Sequence, residues 1–163
     1  MEAVVARQAR VDEVPALAAL RWESVAAERT PLDSRQDFID EFVRWASTHE
    51  ETHVPFIATR GDDPLGMAWL ALGERVPAPD EALRATGDLQ TMYVAEAHRG
   101  SGVGAALVGA VIRHARSRRL MLLAVLSSNR ATTLYERAGF EASPQLLKIT
   151  WPKESSAQSP ESS

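Results

Sequence analysis

A glycine-rich turn between an apolar strand and a helix constrains this chain more than any other feature. Residues 98–105 read His-Arg-Gly-Ser-Gly-Val-Gly-Ala, between a strand pattern over residues 88–94 and a helical pattern over residues 102–117. Three alternating glycines at such a junction let backbone N–H groups converge on an anion, and the helix dipole adds to the attraction. The turn therefore predicts an anion-binding site at the start of a helix.

The apolar run that follows completes a strand–helix–strand unit. Residues 120–126, Leu-Met-Leu-Leu-Ala-Val-Leu, are uniformly apolar, which is typical of a strand buried on both faces in the parallel part of a sheet. Strands are also predicted over residues 3–9, 53–60 and 65–74, and two more within residues 140–151. The predicted fold class is α/β, a single domain with a mixed central sheet and an embedded βαβ unit.

Two further helices are predicted between the first and second strands. Asp12 is typical of a helix N-cap and begins a helix that runs to about Arg29. Ser34 begins a second helix that ends near Glu50. The aromatic residues of the second helix recur at helical spacing and are predicted to pack in the core: Phe38, Phe42 and Trp45.

Length and composition narrow the class of protein. The 163 residues suit one domain over residues 1–152, followed by a tail over residues 153–163 that has almost nothing to bury and is predicted to be disordered. The absence of cysteine excludes thiol nucleophiles, thiolate zinc sites and disulfides. A net charge of −4 without a basic face argues against a nucleic-acid partner. Without a signal peptide or a long apolar stretch, no membrane partner is expected and a cytoplasmic location is predicted.

Two familiar phosphate-binding patterns do not fit the turn. A Walker loop ends in Gly-Lys-Ser/Thr, whereas Gly104 is followed by two alanines. A dinucleotide fingerprint needs Gly-x-Gly-x-x-Gly and an acidic residue after the next strand, whereas that strand is followed here by Ser127, Ser128 and Asn129. Both nucleotide interpretations therefore fail.

The Arg-x-x-Gly-x-Gly pattern of residues 99–104 resembles the pyrophosphate-binding motif of the GCN5-related N-acetyltransferase (GNAT) family. Its surroundings strengthen the resemblance. Residues 92–94, Met-Tyr-Val, end the preceding strand, Asn129 follows the next one, and residues 134–140, Leu-Tyr-Glu-Arg-Ala-Gly-Phe, are similar to the family's Leu-Tyr-x-x-x-Gly-Phe segment. The order of elements also agrees from the first strand to Trp151.

The resemblance implies a fold, an activity and a binding site. In such proteins the strands equivalent to residues 88–94 and 120–126 splay apart and form an acyl-CoA-binding core. Acetyl-CoA would be the co-substrate, and the partner would be a primary amine of a small molecule or peptide, with a homodimer as a further option. The residues that the resemblance assigns to acetyl-CoA are Met92, Tyr93, Val94, Arg99, Gly100, Ser101, Gly102, Val103, Gly104, Ala105, Asn129 and Tyr135.

The chemistry of thioester aminolysis is consistent with those roles. The reaction builds an oxyanion, which fixed backbone N–H groups stabilise better than water does. In the family pattern, backbone groups of Met92 and Val94 bond the pantetheine and the acetyl carbonyl. The leaving thiolate belongs to a thiol of pKa about 8.5, to which a phenol can donate its proton. Tyr135 is therefore the predicted general acid, and the alternative is a tyrosine that only packs its helix against the core.

The group that removes the amine proton is left open by the sequence. Many family members carry a glutamate where this chain has Gln90, and a glutamine cannot accept that proton. Asp88, Glu23, Glu28, His53 and a chain of waters are the candidates. Gln90 also supports an alternative function, an acyl-CoA-binding regulatory module that has lost catalysis.

A His-Glu-x-x-His pattern raises the separate hypothesis of a zinc site. His49 and His53 could ligate zinc together only from one uninterrupted helix. Pro55 follows at once, and residues before a proline avoid the helical conformation. The sequence therefore predicts that the helix ends between the two histidines and that the protein binds no metal.

Overall fold

The computed structural model describes residues 2–82 and 84–151. Five strands form one sheet in chain order. They are β1 (Val5–Gln8), β2 (His53–Arg60), β3 (Asp63–Glu74), β4 (Ala85–Val94) and β5 (Leu122–Val125). The first four are antiparallel to their neighbours and β5 is parallel to β4, so the predicted mixed sheet is confirmed. Within these residues, none of the helices is long and apolar enough to cross a membrane.

Four helices cover the two faces of the sheet: α1 (Val14–Ala26), α2 (Arg35–Thr48), α3 (Val103–Ser117) and α4 (Thr132–Arg137). One face carries α3, with α4 beside it, and the other carries α1, on which α2 packs. Each interface buries large apolar side chains, because an amphipathic helix must bury its apolar stripe against the sheet. The sheet is therefore the middle of three layers.

The predicted start of α2 is confirmed, and that of α1 is wrong. Ser34 Oγ accepts a hydrogen bond from the backbone N–H of Asp37 at 3.2 Å, as an N-cap does. Asp12 instead lies inside a 3₁₀ turn, Val11–Glu13, that precedes α1. There Arg10 is the N-cap, and the Glu13 carboxylate at N3 accepts from the Arg10 backbone N–H at 2.7 Å, as in a capping box.

The expectation that the strand over residues 120–126 is buried on both faces is also wrong. β5 is the last strand of the described sheet and pairs only with β4. Leu122 is 46% exposed and Leu126 76% exposed. A uniformly apolar strand can therefore lie at a sheet edge, where its side chains are only partly covered.

The two strands predicted within residues 140–151 do not form. This segment has no regular structure, and most of its large apolar side chains are exposed, Leu147 by 87%. Apolar alternation stabilises a strand only when a neighbour supplies backbone hydrogen bonds and a surface for burial, and no such neighbour is present among the described residues. The tail predicted over residues 153–163 lies outside the described residues.

Candidate active site

The two parallel strands of the sheet separate at the level of Leu89. Pairing joins Thr86–Leu89 of β4 to Leu122–Val125 of β5 and ends there, although β4 continues to Val94. The β5-facing edge of residues 90–94 therefore keeps unpaired backbone N–H and C=O groups. Such an edge can bind an extended ligand as an added strand does.

The glycine turn joins the open end of β4 to α3. Gly100 and Gly102 have positive φ angles of 76° and 84°, and Gly102 is the N-cap of α3. Only glycine adopts this backbone conformation without strain, which explains two of the three glycines. Gly104 already lies inside the helix, where a Cβ would approach Leu134 Cδ2 to 3.2 Å.

The first turn of α3 presents free donors to the cleft. The first hydrogen bond of the helix joins the Ala106 N–H to the Gly102 carbonyl, so the N–H groups of Val103, Gly104 and Ala105 precede the helical ladder. A Cβ built on Gly100 or Gly102 would meet no atom within 4 Å, so the backbone here is open to an approaching group. The turn has the geometry of an anion site.

An open cavity of about 690 Å³ connects the free edge of β4 with this turn. Eight of the twelve residues predicted for acetyl-CoA line it: Met92, Tyr93, Val94, Arg99, Gly100, Gly102, Gly104 and Ala105. The guanidinium of Arg99 lies 5.7 Å from the centre of the Tyr93 ring, and its Nε donates to the Val94 carbonyl at 3.3 Å. The site prediction therefore finds most of its residues in one place.

Three predicted residues lie beside the cavity without lining it. The Val103 side chain is buried in the core, so only its backbone faces the turn. The Ser101 hydroxyl donates to the His98 carbonyl at 2.6 Å. Asn129 stands between Ser128 and Arg130, both of which line the cavity.

Tyr135 occupies a different place from the other predicted residues. Its side chain is 6% exposed and packs on the Phe140 ring with the centroids 5.5 Å apart. It lines a separate cavity of about 420 Å³ beside β5, while its neighbour Leu134 lines the cleft. Burial raises the pKa of the Tyr135 phenol, so the protonated form dominates at neutral pH.

Gln90 is the extra residue of a β-bulge. β3 pairs with β4 through Trp69–Thr91 and Leu70–Leu89, which leaves Gln90 without a partner on β3. The Gln90 amide lies against the imidazole of His53 on β2 and acts to raise its pKa. Burial and the nearby His49 outweigh that effect, and the pKa of His53 is lowered.

The candidate bases are now separated by position. Glu28 lines the cleft beside Tyr93, and His53 contacts Gln90. Glu23 and Asp88 are exposed and line none of the cavities described here.

Sequence reasoning missed two basic residues of the cleft, Arg130 and Arg137, because isolated arginines on a loop and a short helix carry no local signal.

The structure separates the two histidines of the His-Glu-x-x-His pattern as predicted. α2 ends at Thr48, His49 is its C-cap, and His53 begins β2. The two rings still lie 5.4 Å apart, centre to centre, next to Trp45. Among the residues that the structure describes, no group of three or more acidic or histidine side chains is placed to hold a metal ion.

Comparison with known proteins decides the family. The model of the acetyltransferase (GNAT) family matches residues 15–140, most of the chain. The chain belongs to the GNAT acetyltransferase family. The matched range contains the open edge of β4, the glycine turn and α4.

Two curated members of the family show detectable sequence similarity. The chain is 28% identical over 153 residues to an L-methionine sulfoximine/L-methionine sulfone acetyltransferase of Pseudomonas aeruginosa, covering 88% of this chain and 83% of that protein. It is 33% identical over 99 residues to a mycothiol acetyltransferase of Geodermatophilus obscurus, covering 59% of this chain but only 30% of that protein. The chain thus spans less than a third of the second relative.

Solved structures of GNAT proteins share the fold. A predicted acetyltransferase from Clostridium acetobutylicum, crystallised with acetyl-CoA, has a TM-score of 0.72 at 18% identity, covering 91% of this chain and 96% of that one. An acetyltransferase of Trypanosoma brucei has a TM-score of 0.70 at 20% identity, covering 91% of this chain and all of that one. These similarities confirm the predicted fold class.

Proposed function

We propose that this protein transfers the acetyl group of acetyl-CoA to a primary amine of a small molecule. The observation that carries the proposal is the continuity of the cleft. The unpaired edge of β4 over residues 90–94 leads directly into the glycine turn and the first turn of α3. An extended pantetheine arm and its pyrophosphate need these two features in this order.

The donors of the cleft suit the two halves of the cofactor. The N–H groups of Val103, Gly104 and Ala105 and the α3 dipole would hold the pyrophosphate. The backbone groups of Met92 and the N–H of Val94 would bond the amide-rich arm and the acetyl carbonyl, where an oxyanion develops during attack. A guanidinium can form two parallel hydrogen bonds to phosphate oxygens, so the arginines that line the cleft would add to the affinity: Arg99, Arg130 and Arg137.

The relatives favour a small acceptor over a peptide. One curated relative that this chain matches along most of both lengths is named for two methionine derivatives. The cleft end near Tyr93 is also bordered by Glu28 in the turn after α1, an acidic side chain that suits the ammonium form of an incoming amine. A small cationic amine would be attracted to this end.

Tyr135 is our proposed general acid, and this role requires the thioester sulfur to lie where the phenol, in the cavity beside β5, can reach it. The residue belongs to the Leu-Tyr-x-x-x-Gly-Phe segment, and its raised pKa keeps the phenol protonated until a thiolate forms. In the proposed step the amine nitrogen bonds to the acetyl carbon, the carbon–sulfur bond breaks, and the phenol proton goes to sulfur. The amine loses one proton to solvent or a base, so the products are the amide and free CoA.

A regulatory module that binds acetyl-CoA without using it is the second candidate, and Gln90 is the observation that favours it. The two candidates agree about binding and differ about turnover. In a melting experiment both predict that acetyl-CoA raises the melting temperature far more than NAD or ATP. A ligand at a hundredfold excess over its Kd stabilises by about 2.7 kcal/mol. Release of free thiol in the presence of an amine would then support the enzyme, and equal shifts with all three nucleotides would contradict both candidates.

A further inference from the structure

Arg21 on α1 is a half-buried cation without an anionic partner among the described residues. No carboxylate lies within salt-bridge distance of it in that part of the chain. Burial lowers the pKa of the Arg21 guanidinium, and the nearby Arg29 lowers it further. The group stays protonated, because an arginine pKa begins above 12. A half-buried charge that is not paired is costly, which is a reason to expect an external anion.

The hydrogen bonds of Arg21 leave one edge of its guanidinium available. Nη1 donates to Thr91 Oγ1 at 3.3 Å and to Ser24 Oγ at 3.4 Å. Ser24 uses its own proton on the Arg21 carbonyl at 2.7 Å, so its oxygen acts as the acceptor. Both partners are neutral hydroxyls, and they fix the orientation of the fork without neutralising it. The remaining nitrogens, Nε and Nη2, can bind a carboxylate in the bidentate way that arginine favours.

The position of Arg21 relates it to the cleft. Thr91 lies two residues before Tyr93 on β4, a separation of about 7 Å along a strand. Glu28 lies in the turn that follows α1, which ends at Ala26, and it borders the cleft together with Tyr93. A small molecule at the open edge of β4 would therefore meet a cation on the α1 side at Thr91 and an acid at the cleft end.

The other charged and aromatic groups nearby agree with a zwitterionic ligand. Gln90 and Thr91 are neutral, and the one acid of β4, Asp88, forms no ion pair with Arg21. Across the helix pair, the rings of Trp22 and Phe38 lie 5.9 Å apart and stay partly exposed. These rings form an apolar surface between α1 and α2.

We infer that Arg21 binds a carboxylate of the acceptor, so that the acceptor is an amino acid or a similar small amine with a carboxylate a few bonds from the nitrogen. The inference rests on the proposed acetyl transfer and names the class of amine. The carboxylate would pair with Nε and Nη2 of Arg21, while the amine reaches the acetyl carbon near Met92 and Tyr93. Binding of the carboxylate would then orient the amine for attack.

Matched acceptors test this inference. The twenty standard amino acids, as free molecules, and their carboxamides are assayed in parallel as acceptors with acetyl-CoA, and free thiol is measured. Each pair differs only in the negative charge of the carboxylate. We expect kcat/KM of the wild type to be at least about tenfold higher for the acid than for the amide of the preferred side chain.

Variants separate the role of Arg21 from a general defect. Arg21→Gln should lower kcat/KM for the acid about tenfold or more and leave the amide and the KM of acetyl-CoA nearly unchanged. Arg21→Lys keeps the charge and loses the planar guanidinium, so its kcat/KM for the acid should lie between those of the wild type and Arg21→Gln. Activity in this variant would show that changes at residue 21 do not simply unfold the protein. Arg29→Gln is the matched control, because it removes a nearby cation that follows α1 and has no hydrogen bond to Thr91, and it should change kcat/KM for neither substrate greatly.

The outcomes distinguish this inference from the proposed function. If the wild type prefers amides, or if Arg21→Gln weakens acid and amide equally, the inference is overturned while acetyl transfer stands. If the wild type releases no thiol with any amine although it binds acetyl-CoA, acetyl transfer itself fails and the inference fails with it.

Discussion

The imidazole of His53 on β2 lies against the side-chain amide of Gln90 at the β-bulge of β4. Its Nδ1 is 2.9 Å from Thr52 Oγ1, and its ring packs edge-on against Trp45 with the centroids 4.9 Å apart. Burial and the nearby His49 lower the pKa of this imidazole, and the Gln90 amide acts in the opposite direction.

The lowered pKa of His53 predicts a loss of stability in acid. The unfolded chain takes up this proton near pH 6.5, whereas the folded chain takes it up only at lower pH. The contribution of neutral His53 is therefore fully present above pH 6.5 and is lost as the pH falls through the lowered pKa. The free energy of unfolding should fall between about pH 8 and about pH 5, and the fall should be smaller in His53→Gln than in the wild type. If the variant loses as much stability as the wild type over this pH range, the lowered pKa of His53 is contradicted. Because the pKa of His114 is also lowered, the variant should still lose part of its stability in acid.

Gln90→Glu tests the same contact in the opposite direction. A carboxylate beside the ring would favour the imidazolium, so the pKa of His53 measured by NMR should rise. A pKa that stays the same in this variant would show that residue 90 does not contact the ring in solution. Gln90→Met, of similar size and without charge, is the matched control.

Gly104→Val is expected to weaken acetyl-CoA binding about tenfold or more, about 1.4 kcal/mol. A Cβ at this position already approaches Leu134 to 3.2 Å and Val94 to 3.9 Å, and both of those residues line the cleft. The added methyl groups would narrow the cleft where the first turn of α3 faces the ligand. The measurement is the Kd by calorimetry.

Gly109→Ala on the same helix provides the control for Gly104→Val. There the nearest atom to a Cβ is Arg113 Nη1 at 3.4 Å, an ordinary contact with a flexible side chain. This change should leave the Kd unaltered and stabilise α3 by about 0.5–1 kcal/mol. Equal Kd values for both folded variants would refute the assignment of the turn.

Short sequence patterns predicted the glycine turn and the start of α2. They did not predict features that depend on contacts between distant residues. Ser34 caps α2 and the glycines shape the turn because each acts within a few residues of itself. The bulge at Gln90 depends on the register between two strands, which no short pattern encodes. The contact between Arg21 and Thr91 joins residues far apart in the sequence, so no local pattern indicates it.

The errors at the C-terminal end have the same origin. Residues 120–126 and 140–151 are apolar enough for strands, and the prediction assumed that neighbours would cover them. In the structure β5 lies at the edge and residues 140–151 remain without a partner. Composition indicates the tendency to be buried, and only the arrangement of the whole sheet determines what is covered.

Tyr135→Phe should lower turnover about a hundredfold while the fold survives. The change removes one hydroxyl and keeps the packing on Phe140, so the melting temperature and the affinity for acetyl-CoA should stay near those of the wild type. The decrease should appear in kcat more than in the KM of acetyl-CoA. A wild-type kcat combined with lower stability would show that Tyr135 only packs α4 against the core.

Metal removal provides another test. His49 and His53 lie on different elements, so we expect purified protein to carry no stoichiometric zinc by elemental analysis and a chelator to leave thiol release unchanged. One zinc per chain that is lost in His49→Ala would reverse this expectation. His98→Ala, outside the pattern, is the control for an indirect effect.

Acetyl transfer itself is tested most directly by incubating the protein with acetyl-CoA and a panel of small primary amines that includes the amino acids, and following both products. Free thiol is measured continuously, and the acceptor is analysed by mass spectrometry for one added acetyl group. Our account predicts that thiol and N-acetylated amino acid appear in equal amounts, and that Gly104→Val slows both together. Acetyl-CoA binding without either product, across the whole panel, would contradict the account and identify the protein as a binding module.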